Sequence, residues 1–175
     1  MKHLQLTDDI LTGIEEIDNQ HRELLAKGNA VLFPATGRLE TKDILNELEF
    51  LIQYVDEHFS DEERLMEYYG YEKVLGHKKQ HQRIRREVEG LFRKVKQTDS
   101  VESLASELYF LLSDWATYHI NEWDKGYAAF LHERVKHEDI IIPGFNKVDD
   151  SEVGVIKSED GFTSAQLETL RKLRK

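Results

Sequence analysis

Apolar residues recur at the spacing of an α-helix in four long segments, and this pattern constrains the fold more than any other feature of the chain. The segments run over about residues 18–33, 42–69, 74–97 and 100–134. Only 2 of the 175 residues are proline, a composition that suits long helices better than a turn-rich β fold. Four amphipathic helices with short connections predict an all-α protein, an antiparallel up-down-up-down four-helix bundle.

Individual residues indicate where these helices begin and end. Asp18 has the side chain of an N-cap for the first segment, and Gly70 has the conformational freedom that ends the second. The second segment begins after Thr41, and Asp99 or Ser100 caps the fourth.

Charge and composition exclude several classes of protein. The 24 basic and 34 acidic residues give a formal net charge of −10 and a pI near 5.3, a balance that repels nucleic acids and anionic membranes. The absence of cysteine excludes disulfides, thiolate zinc sites and iron–sulfur clusters. No signal peptide or membrane span is evident. We therefore expect a cytoplasmic protein whose partners include neither nucleic acid nor a membrane.

Side chains that can bind metal ions interrupt the apolar stripes of all four segments. Seven of them stand at or near core-facing positions: His21, His58, Glu62, His77, His81, His119 and Asp124. A single buried histidine is ordinarily a hydrogen-bonded core residue, but seven unsatisfied groups would cost about 1–3 kcal/mol each, comparable in sum to the stability of a whole domain. A bound metal centre compensates for that burial, so the sequence predicts one.

The spacing of these residues supports a shared site. Two pairs four residues apart, His58 with Glu62 and His77 with His81, each lie one helical turn apart on a single face. Asp124 follows the last histidine of the set by five residues, about 140° around an ideal helix. We expect it to turn inward if the helix loosens at that point.

Five imidazoles and two carboxylates nearly complete two octahedral centres. If three imidazoles bind one ion, two bind the other, and the carboxylates and one oxo or hydroxo group bridge them, the two ions have about six and five ligands. The empty position is where a small molecule binds. Imidazole and carboxylate ligands suit iron or manganese, and ligand type alone leaves copper and zinc open.

Several of these segments resemble motifs of the hemerythrin family, in particular the bacterial hemerythrins. The central signature is similar to residues 58–66 (HFSDEERLM), 70–71 (GY) and 77–81 (HKKQH). The first-helix and last-helix motifs of the family are similar to residues 14–21 (IEEIDNQH) and 119–127 (HINEWDKGY). The resemblance covers about residues 10–132.

The resemblance implies a non-heme di-iron site that binds dioxygen reversibly, with an oxo or hydroxo bridge and no catalytic side chain. It implies His77, His81 and His119 on one iron, the two remaining core histidines on the other, and Glu62 and Asp124 as bridges. Nitric oxide and peroxide are alternative ligands. The site would thus carry two iron ions, as Fe²⁺ or Fe³⁺.

The implied oxygen pocket needs apolar walls that exclude water. Phe59, Trp115 and Ile120 lie beside predicted ligands at spacings that place them there. Glu122 lies at the edge of the core face, either reaching the open iron or, as we prefer, pointing to solvent.

The resemblance leaves two classes of function open: an oxygen carrier, store or sensor, and an oxidase, peroxidase or oxygenase built on the same site. Di-iron oxygenases typically use two Glu-x-x-His pairs, which this sequence lacks, and this absence favours binding over catalysis.

The composition changes after about residue 134. We expect two parts, a bundle over residues 1–135 and a C-terminal arm over residues 136–175 that ends in a short basic helix. The arm offers a contact with the bundle, with a second copy of the chain or with a partner protein that senses the ligand state.

Overall fold

The chain folds into four long helical stretches within residues 1–34, 37, 38, 40–95, 97, 100–135 and 140–143, which the computed structural model describes. The first three are α1 (Glu15–Leu32), α2 (Thr41–Tyr69) and α3 (Val74–Val95). The fourth joins α4 (Val101–Asp114), a π-helix (Trp115–Asp124) and α5 (Lys125–Val135). The described residues contain no strand, and none of their helices is long and apolar enough to cross a membrane.

These helices close into the predicted antiparallel bundle. Helix α1 packs against α2 and α4, and α3 packs against α2 and α4 on the opposite side. Gly28 permits the close approach of α1 to α4, because a β-carbon at this position would overlap Leu112 Cδ1. The fold class predicted from the apolar spacing is confirmed.

The bounds of α2 agree with the prediction from sequence to within one residue. Gly70 ends the helix in the left-handed conformation, with φ of 73°, and its N–H donates to Glu67 O at 3.2 Å. At the start of α4, Ser100 Oγ accepts a hydrogen bond from Ser103 N at 3.4 Å. The alternative cap, Asp99, lies outside the described residues.

The predicted N-cap at Asp18 is wrong, because α1 begins three residues earlier, at Glu15. The Asp18 carboxylate accepts hydrogen bonds from the backbone N–H groups of Thr12, at 2.9 Å, and Gly13, at 3.0 Å. Asp18 thus holds the chain segment that enters the bundle, although it lies inside the helix.

The third predicted segment also ends earlier than expected. Helix α3 ends at Val95 rather than near Gln97.

The π-helix explains how Asp124 faces the core. The N–H of Lys125 donates to the carbonyl of Ile120, five residues earlier. Hydrogen bonds of this reach widen each turn, so residues five positions apart come nearly into line. His119 and Asp124 consequently share one face, and Asp124 is fully buried. The predicted loosening of the helix is confirmed, and it extends over ten residues.

Buried apolar side chains form two clusters among the described residues, with the predicted metal-binding residues between them. On α1, Ile17 belongs to one cluster and Leu24 to the other, and His21 lies between the two. On the fourth stretch, Asp124 likewise lies between Ile120, which belongs to the larger cluster, and Tyr127, which belongs to the smaller one. The smaller cluster consists of Ile14, Ile17, Leu65, Met66, Tyr127, Ala128, Leu131 and Ile142.

Residues 140–143, which we call the strap, lie on the bundle. Ile142 is only 4% exposed and belongs to the smaller cluster. The N–H of Ile141 donates to Tyr69 Oη at 3.2 Å, and Arg64 Nε donates to the carbonyl of Pro143 at 3.1 Å. The rest of the predicted arm, including its basic helix, lies outside the described residues, and the division of the chain at residue 135 stays a prediction.

Glu47 on α2 is a buried carboxyl group at a distance from the predicted site. Burial raises its pKa from 4.5 to about 7, and the charge of Lys27 offsets only part of this shift. Within the part of the chain that the structure describes, Glu47 Oε1 has no hydrogen-bond partner. Because the pKa is higher in the folded state, the unfolded state ionises first as the pH rises. The contribution of Glu47 to stability therefore falls between about pH 4.5 and pH 7.

We expect Glu47→Gln to increase the free energy of unfolding by about 2 kcal/mol at pH 8, since it removes this ionisation. The gain should nearly vanish at pH 4.5, where the carboxyl group of the wild-type protein is largely neutral when folded. Urea denaturation at both pH values measures the difference. As a control, Glu72→Gln at an exposed position should change stability by less than about 0.5 kcal/mol. An equal gain at both pH values would contradict the pKa of Glu47.

Candidate metal centre

Seven imidazole and carboxylate side chains meet in one buried space between the two apolar clusters. Each of the four helical stretches contributes at least one of them. None is more than 1% exposed. They are the residues predicted from the apolar stripes: His21 on α1, His58 and Glu62 on α2, His77 and His81 on α3, and His119 and Asp124 on the π-helix.

Asp124 faces imidazoles from three helical stretches. Its Oδ1 lies 3.0 Å from His77 Nε2 and 3.2 Å from His119 Nε2. Its Oδ2 lies 3.4 Å from His21 Nε2. The two oxygens of one carboxylate therefore point toward different histidines, an arrangement suited to a bridging ligand.

Glu62 occupies a similar central position. Its Oε2 lies 3.1 Å from His81 Nε2, 3.8 Å from His58 Nε2 and 3.9 Å from His77 Nε2. Its Oε1 lies 4.0 Å from His21 Nε2. Glu62 thus stands within reach of histidines from three helices.

The ligand-capable atoms form two groups that share Glu62. Within each group these atoms all lie within 4.8 Å of one another. The larger group consists of Glu62, His77, His81, His119 and Asp124, and the smaller group of His21, His58 and Glu62. This division places three imidazoles on one side and two on the other.

The hydrogen bonding of the cluster tests whether it fits a metal. The Nε2 atoms of all five histidines, Glu62 Oε2 and both Asp124 oxygens are buried without a hydrogen-bond partner among the described residues. Buried polar atoms are ordinarily satisfied, and their concentration in one place calls for a ligand. A metal ion accepts lone pairs from imidazole and carboxylate together, so these residues fit one.

The Hemerythrin HHE cation binding domain model matches residues 12–131 of this chain. The chain belongs to the hemerythrin family. Membership confirms the resemblance in the sequence motifs and implies a non-heme di-iron site, for which the buried cluster supplies suitable side chains. It also agrees with the observed four-helix bundle.

Curated relatives within the hemerythrin family point the same way. The chain is 40% identical to a bacteriohemerythrin of Pseudomonas paraeruginosa over 129 residues, which are 73% of this chain and 81% of that protein. A bacteriohemerythrin of Pseudomonas aeruginosa is 39% identical over the same shares. One from Stenotrophomonas maltophilia is 33% identical over 69% of this chain and 76% of its own length.

Side chains around the hemerythrin-type cluster hold two of its imidazoles. Gln20 Oε1 lies 2.7 Å from His58 Nδ1, and Glu63 Oε1 lies 2.8 Å from His81 Nδ1. When Nε2 of each ring faces a metal, these oxygens accept the proton on Nδ1 and fix the orientation of the ring. The sequence analysis missed both residues. Their position next to a predicted ligand along the chain, Gln20 before His21 and Glu63 after Glu62, was the only signal.

Tyr127 is a third contact that the sequence analysis missed. Its hydroxyl donates to Glu62 Oε1 at 2.8 Å, and the side chain is fully buried. Tyr127 stands three residues after Asp124, on the first turn of α5, at the end of the last-helix motif of residues 119–127. It satisfies the carboxylate oxygen that points away from His81.

The predicted pocket residues lie beside the cluster. The Phe59 ring stacks on His81 with 3.8 Å between centroids, and the Trp115 ring lies 5.2 Å from the ring of His21. Ile120 is fully buried in the larger apolar cluster. Glu122 is exposed and accepts a hydrogen bond from Asn121 at 3.3 Å, so the structure does not bring it into the site. That these apolar residues line an oxygen pocket stays a prediction.

Burial and neighbouring charges set the protonation of the cluster. Burial lowers the pKa of His58 to about 3 and also lowers the pKa of His21, so both rings are neutral near pH 7. Burial would raise the pKa of Asp124, but His119 and His77 hold it well below its usual value. Neutral imidazoles and an ionised carboxylate are the forms that bind metal ions.

Proposed function

We propose that this chain holds two iron ions in the buried cluster and binds dioxygen reversibly, as a carrier, store or sensor. The observation that supports this function best is the sharing of Glu62 between a group with three imidazoles and a group with two. A di-iron centre supplies two electrons for the reversible binding of dioxygen. The smaller group has one imidazole fewer, and this difference favours ligand binding on that side.

In this proposal His77, His81 and His119 hold one ion, His21 and His58 hold the other, and both carboxylates bridge.

The aromatic ring of Trp115 beside the smaller group excludes water. Trp115 lies 5.2 Å from His21 and 6.1 Å from His58, and it is only 4% exposed. Such a wall keeps water away from the ligand side and slows irreversible oxidation.

Tyr127 holds Glu62 in place, and Glu63 holds His81. The hydroxyl of Tyr127 donates to Glu62, which keeps this carboxylate ionised and correctly turned for both ions. Glu63 accepts from His81 and is itself 3.5 Å from Lys78 and from Arg85. The cluster thus depends on an outer layer of hydrogen bonds that fix its ligands before a metal arrives.

An absorption spectrum with metal analysis tests this function. The reduced protein under nitrogen should be nearly colourless, develop a charge-transfer band in air, and lose the band again when oxygen is removed. A band that does not disappear would contradict reversible binding. Consumption of added peroxide with a reductant would favour an oxidase or peroxidase instead.

We expect Trp115→Phe to accelerate loss of the oxygenated spectrum several-fold, because the smaller ring admits water beside His21 and His58. Phenylalanine retains an aromatic core side chain, so the bundle should fold. Trp123→Phe is a matched control on the opposite side, where the Trp123 ring lies 5.8 Å from His77. Equal effects of the two substitutions would contradict a water barrier at Trp115. Spectra followed at constant oxygen pressure give both rates.

A further inference from the structure

A continuous series of hydrogen bonds links the cluster to the strap. His58 Nδ1 lies 2.7 Å from Gln20 Oε1, and Gln20 Nε2 donates to Asp61 Oδ2 at 2.8 Å. Arg64 forms a close ion pair with Asp61 Oδ1 and donates through Nε to the carbonyl of Pro143 at 3.1 Å. Three side chains thus connect one predicted metal ligand to a residue 85 positions away in sequence.

The donors and acceptors of this series are consistent along its whole length. If His58 Nε2 binds a metal, the ring proton is on Nδ1 and donates to Gln20 Oε1. The amide then donates from its other end to Asp61, and Arg64 can only donate. No atom in the series has to serve in two conflicting roles. Metal binding at His58 therefore selects the tautomer that completes it.

The strap is fastened beside the site by further contacts. Ile142 packs in the smaller apolar cluster, which also contains Tyr127, the residue whose hydroxyl donates to Glu62. The N–H of Ile141 donates to Tyr69 at the end of α2. The strap therefore contacts both the hydrogen-bond series and the apolar side chains next to the bridging carboxylate.

A second series starts from His81 and provides an internal comparison. His81 Nδ1 lies 2.8 Å from Glu63, which is 3.5 Å from Arg85, and Arg85 Nε donates to Asp56 at 2.7 Å. Both series contain an imidazole, an acceptor side chain and an arginine. The His81 series runs to a half-exposed carboxylate on α2, whereas the His58 series runs to the strap.

We propose that Gln20, Asp61 and Arg64 couple metal binding at His58 to the docking of the strap. The coupling rests on the metal site of the proposed function. Metal on Nε2 fixes the His58 ring and its tautomer, which orders Gln20 and Asp61 and holds Arg64 against Pro143. Without metal, His58 Nδ1 is free to lose its proton to Nε2, the series breaks at its first link, and the strap opens more often.

Hydrogen exchange of the full-length protein, loaded with Co²⁺ or free of metal, tests the coupling without involving dioxygen. Amides of Ile141 and Ile142 should exchange about tenfold more slowly in the loaded protein, a factor within the usual range of coupling between two sites. Metal content is measured first. A chain that binds no Co²⁺ contradicts the metal site and the coupling together, whereas binding without any change in strap exchange overturns the coupling alone.

Three substitutions locate the connection. Arg64→Met and Gln20→Met break the last and first parts of the series, and each should reduce the metal dependence of strap exchange to less than about twofold. Arg85→Met makes the same change in the His81 series and should leave the tenfold effect intact. The Arg64 side chain is half-exposed and Gln20 is partly buried, so the bundle should tolerate both changes.

The Gln20→Met variant decides between coupling and simple anchoring. The side chain of Gln20 forms its hydrogen bonds with His58 and Asp61 and not with residues 140–143 of the strap, so it influences strap exchange through the series. If Arg64→Met has an effect and Gln20→Met has none, Arg64 is merely a local anchor and the proposal is wrong. The same conclusion follows if Arg85→Met abolishes the effect as strongly as Arg64→Met.

Discussion

Replacing Glu62 with glutamine should reduce the metal content from two ions per chain to one or fewer. Glu62 belongs to both groups of ligand-capable atoms, so one substitution removes a ligand from each. A neutral amide is also a weaker ligand for iron than a carboxylate, and it leaves the charge of the two ions less well balanced. Metal analysis after exhaustive dialysis measures the loss.

Two comparisons show whether this effect belongs to the shared position of Glu62. Glu67→Gln changes an exposed carboxylate on the same helix and should leave the metal content at its wild-type level. The double variant His77→Ala, His81→Ala removes imidazoles from the larger group alone, so the smaller group should retain more metal than in Glu62→Gln. Full metal content in the double variant would show that these histidines are not ligands.

Removing the metal is expected to lower the melting temperature by about 10–20 °C at pH 7.5, because a tightly bound ligand of the folded state contributes several kcal/mol to its stability. The metal-free protein also retains the buried, unpartnered atoms of the cluster. Chelation followed by thermal unfolding measures the change, and returning Fe²⁺ under nitrogen should restore the original melting temperature. A protein that melts at the same temperature in both states would contradict a metal centre in the core.

The metal-free protein should also lose stability as the pH falls below about 6.5. The pKa of His58 is about 3 in the folded state, so below its ordinary value of 6.5 the unfolded state binds a proton that the folded state does not. His21 shifts in the same direction. His81 shifts in the opposite direction, because its contacts with Glu62 and Glu63 outweigh burial, and it offsets part of the effect.

Glu47, whose pKa is raised to about 7, offsets a further part of this effect. The expected net slope is about 1 kcal/mol per pH unit between pH 6.5 and pH 5, measured by urea denaturation of the chelated protein. His58→Leu removes the imidazole whose pKa burial lowers to about 3, and it should flatten this slope. An unchanged slope in that variant would place the titration elsewhere.

Much of the fold follows from residues near one another in sequence. Helix α2 begins at Thr41 and ends before Gly70 because a long apolar stripe and a left-handed glycine act locally, and both are visible in the sequence. Asp18 misled the same reasoning. Its carboxylate binds the backbone of Thr12 and Gly13, and a spacing rule cannot distinguish that contact from an N-cap.

Part of the candidate site could likewise be predicted from local sequence, and part could not. His58 and Glu62, or His77 and His81, could be predicted because helical spacing places both members of each pair on one core face. The position of Asp124 required a change in helix type, which the sequence indicated only as a loosening. The contacts of Gln20 with His58 and of Arg64 with Pro143 could not be predicted from helical spacing. They depend on how the four helices and the strap pack together.

The separation of the core into two apolar clusters affects how the domain holds together. In a bundle with one continuous core, all helices share the same apolar contacts, and the domain unfolds as a unit. Here the clusters around Leu24 and around Leu65 meet across a layer of imidazoles and carboxylates. Metal ions in that layer would tie the two clusters together, whereas in the metal-free chain the smaller cluster, which carries the strap, would open locally more often before the domain unfolds.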